Sequence, residues 1–150
     1  MNEEIKENVV IEDFDFSMIA DFFKRVGRQG PGGERETRLA ASLIPSFQQR
    51  IRIADIGCGK GSQTFVLANK YDAEIDAVDL LPEMMEGIRE GSSKRGMADC
   101  VHPVQASMDA LPFAPASYDL IWAEGSIFII GYEKGLAYWR EFLKPGGFIA

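Results

Sequence analysis

The stretch Ile53-Ala54-Asp55-Ile56-Gly57-Cys58-Gly59-Lys60-Gly61 decides the fold of this chain. A short apolar run containing a carboxylate is followed by glycines at every second position. Glycine has no Cβ atom, so it permits positive φ in a tight turn and lets a ligand lie against the backbone. Residues 62–68 have the pattern of a helix, whose first turn would aim free N–H groups at the loop. Strand, glycine loop and helix together predict the start of a Rossmann-like βαβ unit.

The spacing of the glycines bears on the ligand. A dinucleotide-binding loop has the pattern G-x-G-x-x-G. Here the pattern is G-x-G-x-G, and Asp55 precedes the first glycine by two residues. A carboxylate at that place would repel a pyrophosphate but would suit an ammonium group.

Residues 54–61 closely resemble motif I of class I S-adenosylmethionine-dependent methyltransferases. The resemblance extends over residues 50–150 and points to the broad family that includes quinone-biosynthesis C-methyltransferases and many small-molecule methyltransferases. It implies an α/β fold, with a mostly parallel sheet, helices on both faces and N-terminal cap helices. It also implies S-adenosylmethionine as cofactor, S-adenosylhomocysteine as product and a small molecule as methyl acceptor.

The resemblance assigns roles to the glycine loop and its acid. In the family, the loop that corresponds to Gly57, Cys58 and Gly59 holds the methionine end of the cofactor. The acid that corresponds to Asp55 helps to bind the amino group of that end.

A second acid follows the next predicted strand. Asp79 ends the strand predicted at residues 74–79 and lies 18 residues beyond Gly61. An acid at this place can accept hydrogen bonds from both ribose hydroxyls, and dinucleotide enzymes use the same device. Asp79 therefore indicates a nucleoside without naming it, and Leu80 would lie against an adenine face.

Residues 106–113 are similar to the stretch that follows the third strand in this family. By that match, the Met108 backbone N–H and the Asp109 carboxylate would contact the adenine edge. Ser107, which departs from the acid that is usual there, is counted with them as a cofactor-binding candidate.

The segment Arg28-Gln29-Gly30-Pro31-Gly32 predicts a loop, because Gly-Pro-Gly does not form regular structure. A simple linker is one interpretation. The segment is also similar to one in uncharacterised bacterial methyltransferases, and by that likeness Arg28 or Gln29 would face the cofactor carboxylate.

The fourth strand, predicted at residues 117–125, ends beside the expected ligand. In such sheets ligands bind beyond the carboxyl ends of the strands. Glu124 and Ser126 are therefore expected under the transferred methyl group. A general base is needed only if the nucleophile must lose a proton; Glu124 and Tyr132 are the candidates.

Helical periodicity predicts three further helices, at residues 16–26, 34–44 and 132–143. The second would turn Leu39, Ala40, Leu43 and Ile44 inward. The last would turn Leu136, Trp139, Phe142 and Leu143 inward.

Pro103 predicts that the third strand, at residues 100–105, is an edge strand, because proline cannot donate to a ladder. His102, the only histidine, is then expected to be solvated.

Composition excludes several classes of protein. The chain of 150 residues is 46% hydrophobic and 26% charged, which is typical of a globular domain. A net charge of −7 disfavours a nucleic-acid partner. There is no apolar run long enough for a membrane span and no signal-peptide pattern, so a cytoplasmic location is expected. Two cysteines, without C-x-x-C spacing, argue against a metal site.

The predicted organisation is an N-terminal leader with cap helices at residues 1–45 and one cofactor-binding domain at residues 46–150. The fifth strand is predicted to begin at residue 148, after a turn at 143–147, so the given chain is expected to stop within it. We expect further strands beyond Ala150 or, failing those, closure of the open edge by a second copy in a homodimer. Two alternatives stay open: an NAD-dependent oxidoreductase and a non-catalytic S-adenosylmethionine-binding module.

Overall fold

The computed structural model describes residues 21–22, 25–28 and 30–150. Most of the helix predicted at residues 16–26, and Gln29, lie outside these residues. None of the described helices is long and apolar enough to cross a membrane. The strands are β1 (Ile51–Ile56), β2 (Ala73–Asp79), β3 (Val101–Gln105), β4 (Tyr118–Trp122) and β5 (Leu143–Ile149). The helices described over their full length are α1 (Glu34–Ser42), α2 (Ser62–Lys70), α3 (Pro82–Arg95) and α4 (Tyr132–Trp139), and 3-10 turns at Ile127–Ile129 and Arg140–Phe142 flank α4.

The five strands form one sheet in the order β3-β2-β1-β4-β5, and every neighbouring pair is parallel. The chain winds outward from β1 to β3, then crosses to the other side of β1 to form β4. The switch point of the sheet therefore lies between β1 and β4, where ligands bind in doubly wound folds. The predicted α/β class is confirmed.

Helices cover both faces of the sheet, because its strands are apolar on both sides. On one face Ile53 and Ile75 pack in a core with Phe65 of α2 and Met85 of α3. On the other face a second core is formed by strand residues and by α4 with the turn after it, and its buried members include Ile56, Ile121, Trp139 and Phe142.

The inward face of α1 differs from the prediction. Leu39 and Leu43 are 63% and 80% exposed, so their predicted burial is wrong. The buried residues of α1 are Thr37 and Ala41. On the buried face the Thr37 hydroxyl bonds to Glu124 beyond β4, and Leu39 and Leu43 lie on the opposite face, toward solvent.

Leu136 on α4 is also more exposed than predicted, at 45%. The buried residues of this helix are Gly135 and Trp139. A Cβ atom on Gly135 would lie 2.7 Å from Cγ1 of Ile127, so the absence of a side chain lets the 3-10 turn pack directly on the helix.

β5 begins at Leu143, five residues before its predicted start. The predicted turn is a bulge within the strand, since Leu143 pairs with Tyr118 whereas Phe148 pairs with Leu120. Gly146, in the bulge, has φ +81°.

β3 lies at the edge of the sheet, as Pro103 predicts. The His102 side chain is 45% exposed and lies 2.7 Å from a carboxylate oxygen of Glu74.

Candidate functional site

The glycine loop lies at the carboxyl end of β1 and has the conformation that its sequence predicts. Gly57, Gly59 and Gly61 have φ angles of +76°, +56° and +88°. A Cβ atom on Gly57 would lie 2.4 Å from the Cβ of Ser126. The Ser126 hydroxyl donates a 2.6 Å hydrogen bond to the carbonyl of Ile56. The loops after β1 and β4 are therefore in direct contact.

Asp55 lies beneath the glycine loop, and its side chain has no exposed surface. The hydroxyl of Thr64 donates to Oδ2 at 2.5 Å and the amide of Gln63 donates to Oδ1 at 3.3 Å. The same amide donates at 3.3 Å to the carbonyl of Cys58. Asp55 thus supports the loop through the first turn of α2, and its predicted contact with an amino group stays a prediction.

The surroundings of Asp55 favour its neutral form. Burial raises the pKa of Asp55 to about 7, although the hydrogen bonds from Thr64 and Gln63 oppose the rise. The charges of Glu124 and Asp79 add to it. Three carboxylates, at the ends of three neighbouring strands, are therefore within electrostatic reach of one another.

Cys58 contributes its backbone to the loop. Its N–H and that of Gly57 each donate a 2.9 Å hydrogen bond to the carbonyl of Val78. The thiol is buried, and this burial raises its pKa well above the ordinary value. The thiol is therefore poorly placed to act as a nucleophile.

Asp79 lies at the end of β2, as predicted, and it faces the glycine loop. The Gly59 N–H donates to Oδ2 at 3.0 Å and the Leu81 N–H donates to Oδ1 at 3.1 Å. Burial raises the pKa of Asp79, and these backbone bonds oppose the rise. Leu80, beside it, is 61% exposed, so an apolar side chain lies open next to a fixed carboxylate.

Met108, after β3, reaches the same edge of the sheet. Its carbonyl accepts a 2.8 Å hydrogen bond from the indole of Trp139 on α4. Its methyl carbon would be 3.7 Å from a Cβ atom on Gly57. The segment after β3 is therefore held beside the glycine loop.

Asp109 is exposed, and its carboxylate has two partners. The Ser107 hydroxyl donates to it at 2.5 Å and the ammonium of Lys134 lies 3.5 Å away. The bond from Ser107, and then the charge of Lys134, lower the pKa of Asp109. Ser107 thus fixes the rotamer of the acid that follows it.

Glu124, two residues beyond β4, is bound by three side chains. Arg28 forms an ion pair with Oε1, and its guanidinium also donates to the carbonyl of Pro31. The hydroxyl of Thr37 and the indole of Trp122 donate to Oε2 at 2.8 and 3.2 Å. Arg28 therefore reaches the predicted site and there contacts a carboxylate of the protein itself.

Beyond Ser126 the chain exposes a group of large apolar side chains. Phe128, Ile129 and Tyr132 are 65%, 63% and 63% exposed, and Leu136 follows one helical turn later. We call these four residues the apolar rim. Tyr132, a predicted candidate base, lies in this rim on the first turn of α4.

The sequence predicted most of the loops that form the site, but not the side chains that hold its acids in place. The segments after β1, β2, β3 and β4 all meet at one edge, and most of the predicted site residues lie on them. The residues that hold the acids in place were missed: Thr37, Gln63, Thr64, Trp122 and Trp139. A hydroxyl, amide or indole on a regular element has no spacing signal that separates it from a surface or core residue, so only the fold reveals these contacts.

A family model described as a methyltransferase domain matches residues 53–147. The matched span starts in β1, contains the glycine loop and ends in β5. It confirms the resemblance based on the motifs.

Two curated relatives are similar to most of the chain. An O-methyltransferase named cnsE from Penicillium expansum is 33% identical over 116 residues, which are 76% of this chain and 41% of that protein. The ubiquinone/menaquinone biosynthesis C-methyltransferase UbiE from Brucella anthropi is 32% identical over 112 residues, 73% of this chain and 43% of that protein. The matched part of the chain thus corresponds to less than half of either relative.

Among solved structures, geranyl diphosphate C-methyltransferase from Streptomyces coelicolor A3(2) has the same fold. Its structure, a complex with Mg²⁺, geranyl diphosphate and S-adenosyl-L-homocysteine, aligns with a TM-score of 0.72 at 16% identity. The alignment covers 77% of this chain and 43% of that one.

Proposed function

Because this chain belongs to the methyltransferase domain family, we propose that it binds S-adenosylmethionine and takes part in methyl transfer to a small molecule. The relatives named above support methyl transfer, since they are named as O- and C-methyltransferases, and the Streptomyces coelicolor structure, which contains S-adenosyl-L-homocysteine, supports the cofactor.

The observation that carries the cofactor assignment is the group of three acids at the ends of β1, β2 and β4. Asp79 and Glu124 both raise the pKa of Asp55 through their charge. The three carboxyl groups outnumber the one guanidinium, that of Arg28, with which Glu124 pairs. Their remaining negative charge favours a ligand with cationic groups, and S-adenosylmethionine carries a sulfonium and an ammonium. It disfavours the pyrophosphate of NAD, as the glycine spacing also does.

The nucleoside end of the cofactor would lie across β2 and β3. Each oxygen of Asp79 accepts one backbone hydrogen bond and keeps acceptor capacity for a ribose hydroxyl. The exposed side chain of Leu80 would cover one face of the adenine. Met108, whose carbonyl Trp139 fixes, would present its backbone to the adenine edge.

The acceptor would approach over the apolar rim. The rim begins two residues after Ser126, which bonds to the end of β1 beside Gly57. An acceptor with an apolar surface could thus remain in contact with the protein up to the methyl group. Exposed apolar side chains beside a polar cleft are a recurring feature of ligand sites.

When bound, the cofactor would supply a methyl group activated by its sulfonium: the nucleophile of the acceptor would bond to the methyl carbon as the carbon–sulfur bond breaks, with S-adenosylhomocysteine as the leaving group. The residues of this chain contribute mainly by alignment, which can lower a barrier by about 7–11 kcal/mol. The glycine loop and Asp79 would fix the donor, while the rim would orient the acceptor and exclude water.

The contacts of Glu124 favour an anchoring role over proton transfer. Three donors share its two oxygens, so removal of a substrate proton would compete with Arg28, Thr37 and Trp122. Tyr132 is exposed and remains the candidate for a general base, if the acceptor must lose a proton.

Calorimetry with S-adenosylhomocysteine and with NAD tests the cofactor assignment. We expect S-adenosylhomocysteine to bind and NAD to give no saturable heat. Tighter binding of NAD would overturn the proposal in favour of an oxidoreductase.

A second measurement separates an enzyme from a binding module. Methyl-labelled S-adenosylmethionine is incubated with the protein and a panel of phenolic, quinol and prenyl compounds, with Asp79→Asn as the matched control. Label transfer that the control lacks supports the proposal; cofactor binding without transfer to any compound supports a non-catalytic module.

A further inference from the structure

The carboxylate of Glu124 joins three segments that are remote in sequence. Arg28, from the segment before α1, pairs with Oε1. Thr37, on α1, and Trp122, at the end of β4, both donate to Oε2. We call these four side chains the latch.

Two of the donors in the latch are fixed by regular structure. Thr37 and Trp122 are 0% and 2% exposed, and they belong to a helix and a strand. Arg28 lies outside regular secondary structure, and its other hydrogen bonds are to Pro31, three residues away. The guanidinium of Arg28 can therefore change partner while Glu124 stays in place.

The segment that carries Arg28 lies against the end of β4. A Cβ atom on Gly30 would be 3.7 Å from the carbonyl oxygen of Glu124. Gly125 has φ +72°, and a Cβ atom on it would be 3.3 Å from Cδ of Pro31.

We propose that the Arg28–Glu124 ion pair holds the place of the amino-acid end of S-adenosylmethionine and exchanges partners when that end binds. This inference rests on the proposed function. A zwitterionic α-amino acid offers a carboxylate to Arg28 and an ammonium to Glu124. Exchange replaces one partly buried ion pair by two and leaves neither protein charge without a partner.

The exchange makes the latch a device for specificity. A ligand with both charges opens it, because each protein group gains a partner as it loses one. 5′-Methylthioadenosine has the nucleoside and sulfur but no amino-acid end, so it leaves the Arg28–Glu124 pair closed. Thr37 and Trp122 are positioning residues, which hold Glu124 for the incoming ammonium.

The two tryptophans of the chain report the two ends of the ligand separately. The Trp122 indole N–H bonds to Glu124 in the latch, whereas the Trp139 indole N–H bonds to Met108 on the proposed adenine side. We expect S-adenosylhomocysteine to shift both indole resonances in a ¹⁵N–¹H spectrum. We expect 5′-methylthioadenosine to shift that of Trp139 alone.

The outcomes separate the latch from the proposed function. An equal shift of the Trp122 resonance by both ligands would overturn the exchange and leave the cofactor assignment intact. If neither ligand binds, the cofactor assignment fails and the latch with it.

Variants of Thr37 provide an independent test. Thr37→Val removes the hydroxyl at nearly constant volume, and Thr37→Ser keeps it. We expect Thr37→Val to weaken the binding of S-adenosylhomocysteine about tenfold without changing the affinity for 5′-methylthioadenosine. We expect Thr37→Ser to bind S-adenosylhomocysteine as the wild type does. If Thr37→Val lowered the affinity for both ligands equally, Thr37 would have a merely structural role, which would contradict the proposal.

Discussion

The Thr64 hydroxyl and the Asp55 carboxylate, nine residues apart, form a 2.5 Å hydrogen bond, and neither side chain has exposed surface. The helix after the glycine loop is thereby tied to the end of the strand before it. Because the carboxyl group of Asp55 is buried, the stability that this contact contributes depends on pH.

We predict that folding stability contributed by Asp55 falls as pH rises from about 4 to about 7. The pKa of this group is raised from 3.8 in the unfolded chain to about 7 in the folded protein. The folded state therefore binds the extra proton, and its stabilising effect is complete below pH 4 and lost as pH passes 7. The difference amounts to roughly 4 kcal/mol.

Asp55→Asn isolates this effect from other titrating groups. Urea unfolding of the wild type and the variant at several pH values gives the difference in their free energies of unfolding. We expect the variant to gain stability relative to the wild type as pH rises. Parallel pH profiles would show that Asp55 titrates normally.

We predict that Asp79→Asn weakens S-adenosylhomocysteine binding by about 1–3 kcal/mol, because ribose hydroxyls lose a charged acceptor. Calorimetry measures the change. Glu74→Gln is the matched control: it removes a carboxylate from the other end of the same strand, where Glu74 pairs with Arg50 and His102. Unchanged affinity in an intact Asp79→Asn variant would make Asp79 a structural acid.

We predict that Gly57→Ala destabilises the protein by about 2–5 kcal/mol, since positive φ and a contact with Ser126 at 2.4 Å act together. Gly96→Ala is the control, because Gly96 has φ +66° but nothing within 4 Å of a new Cβ atom. It should cost about 1–2 kcal/mol. Equal thermal stability of the two variants would mean that the loop and Ser126 can move apart.

We predict that Phe128→Ala lowers kcat/KM for an apolar acceptor about tenfold, or about 1.4 kcal/mol, without changing S-adenosylhomocysteine affinity. The side chain is 65% exposed, so its loss removes contact with the acceptor more than it removes core packing. Leu43→Ala, which truncates an 80% exposed leucine directly after α1, is the control. An equal loss of activity in both variants would remove the rim from the site.

Local sequence patterns were sufficient to predict the parallel sheet and the positions of the glycines and of Asp79. Their signals are properties of single segments: glycine where φ is positive, an acid at a strand end, proline on an edge strand. The face of α1 was not predictable in this way. Leu39 and Leu43 have the periodicity of a core face, but the face that packs on the domain carries Thr37, whose hydroxyl bonds to Glu124.

The same limit explains the position of Arg28. Sequence places a cation in the loop ahead of β1, but its partner Glu124 lies 96 residues later. No pattern along the chain links the two, since only the crossing of the chain from β3 to β4 brings them together. The start of β5 was misplaced for a related reason, because its bulge depends on pairing with β4.

The contact of Ser126 with Ile56 also sets when a binding site can exist during folding. It joins positions 70 residues apart, so both halves of the cleft are present only after β4 has entered the sheet beside β1. A partly folded chain with β1, β2 and their helices would have the glycine loop but not its opposite wall. Ligand should therefore slow unfolding and leave the folding rate nearly unchanged, because it binds the completed sheet and not the partly folded chain.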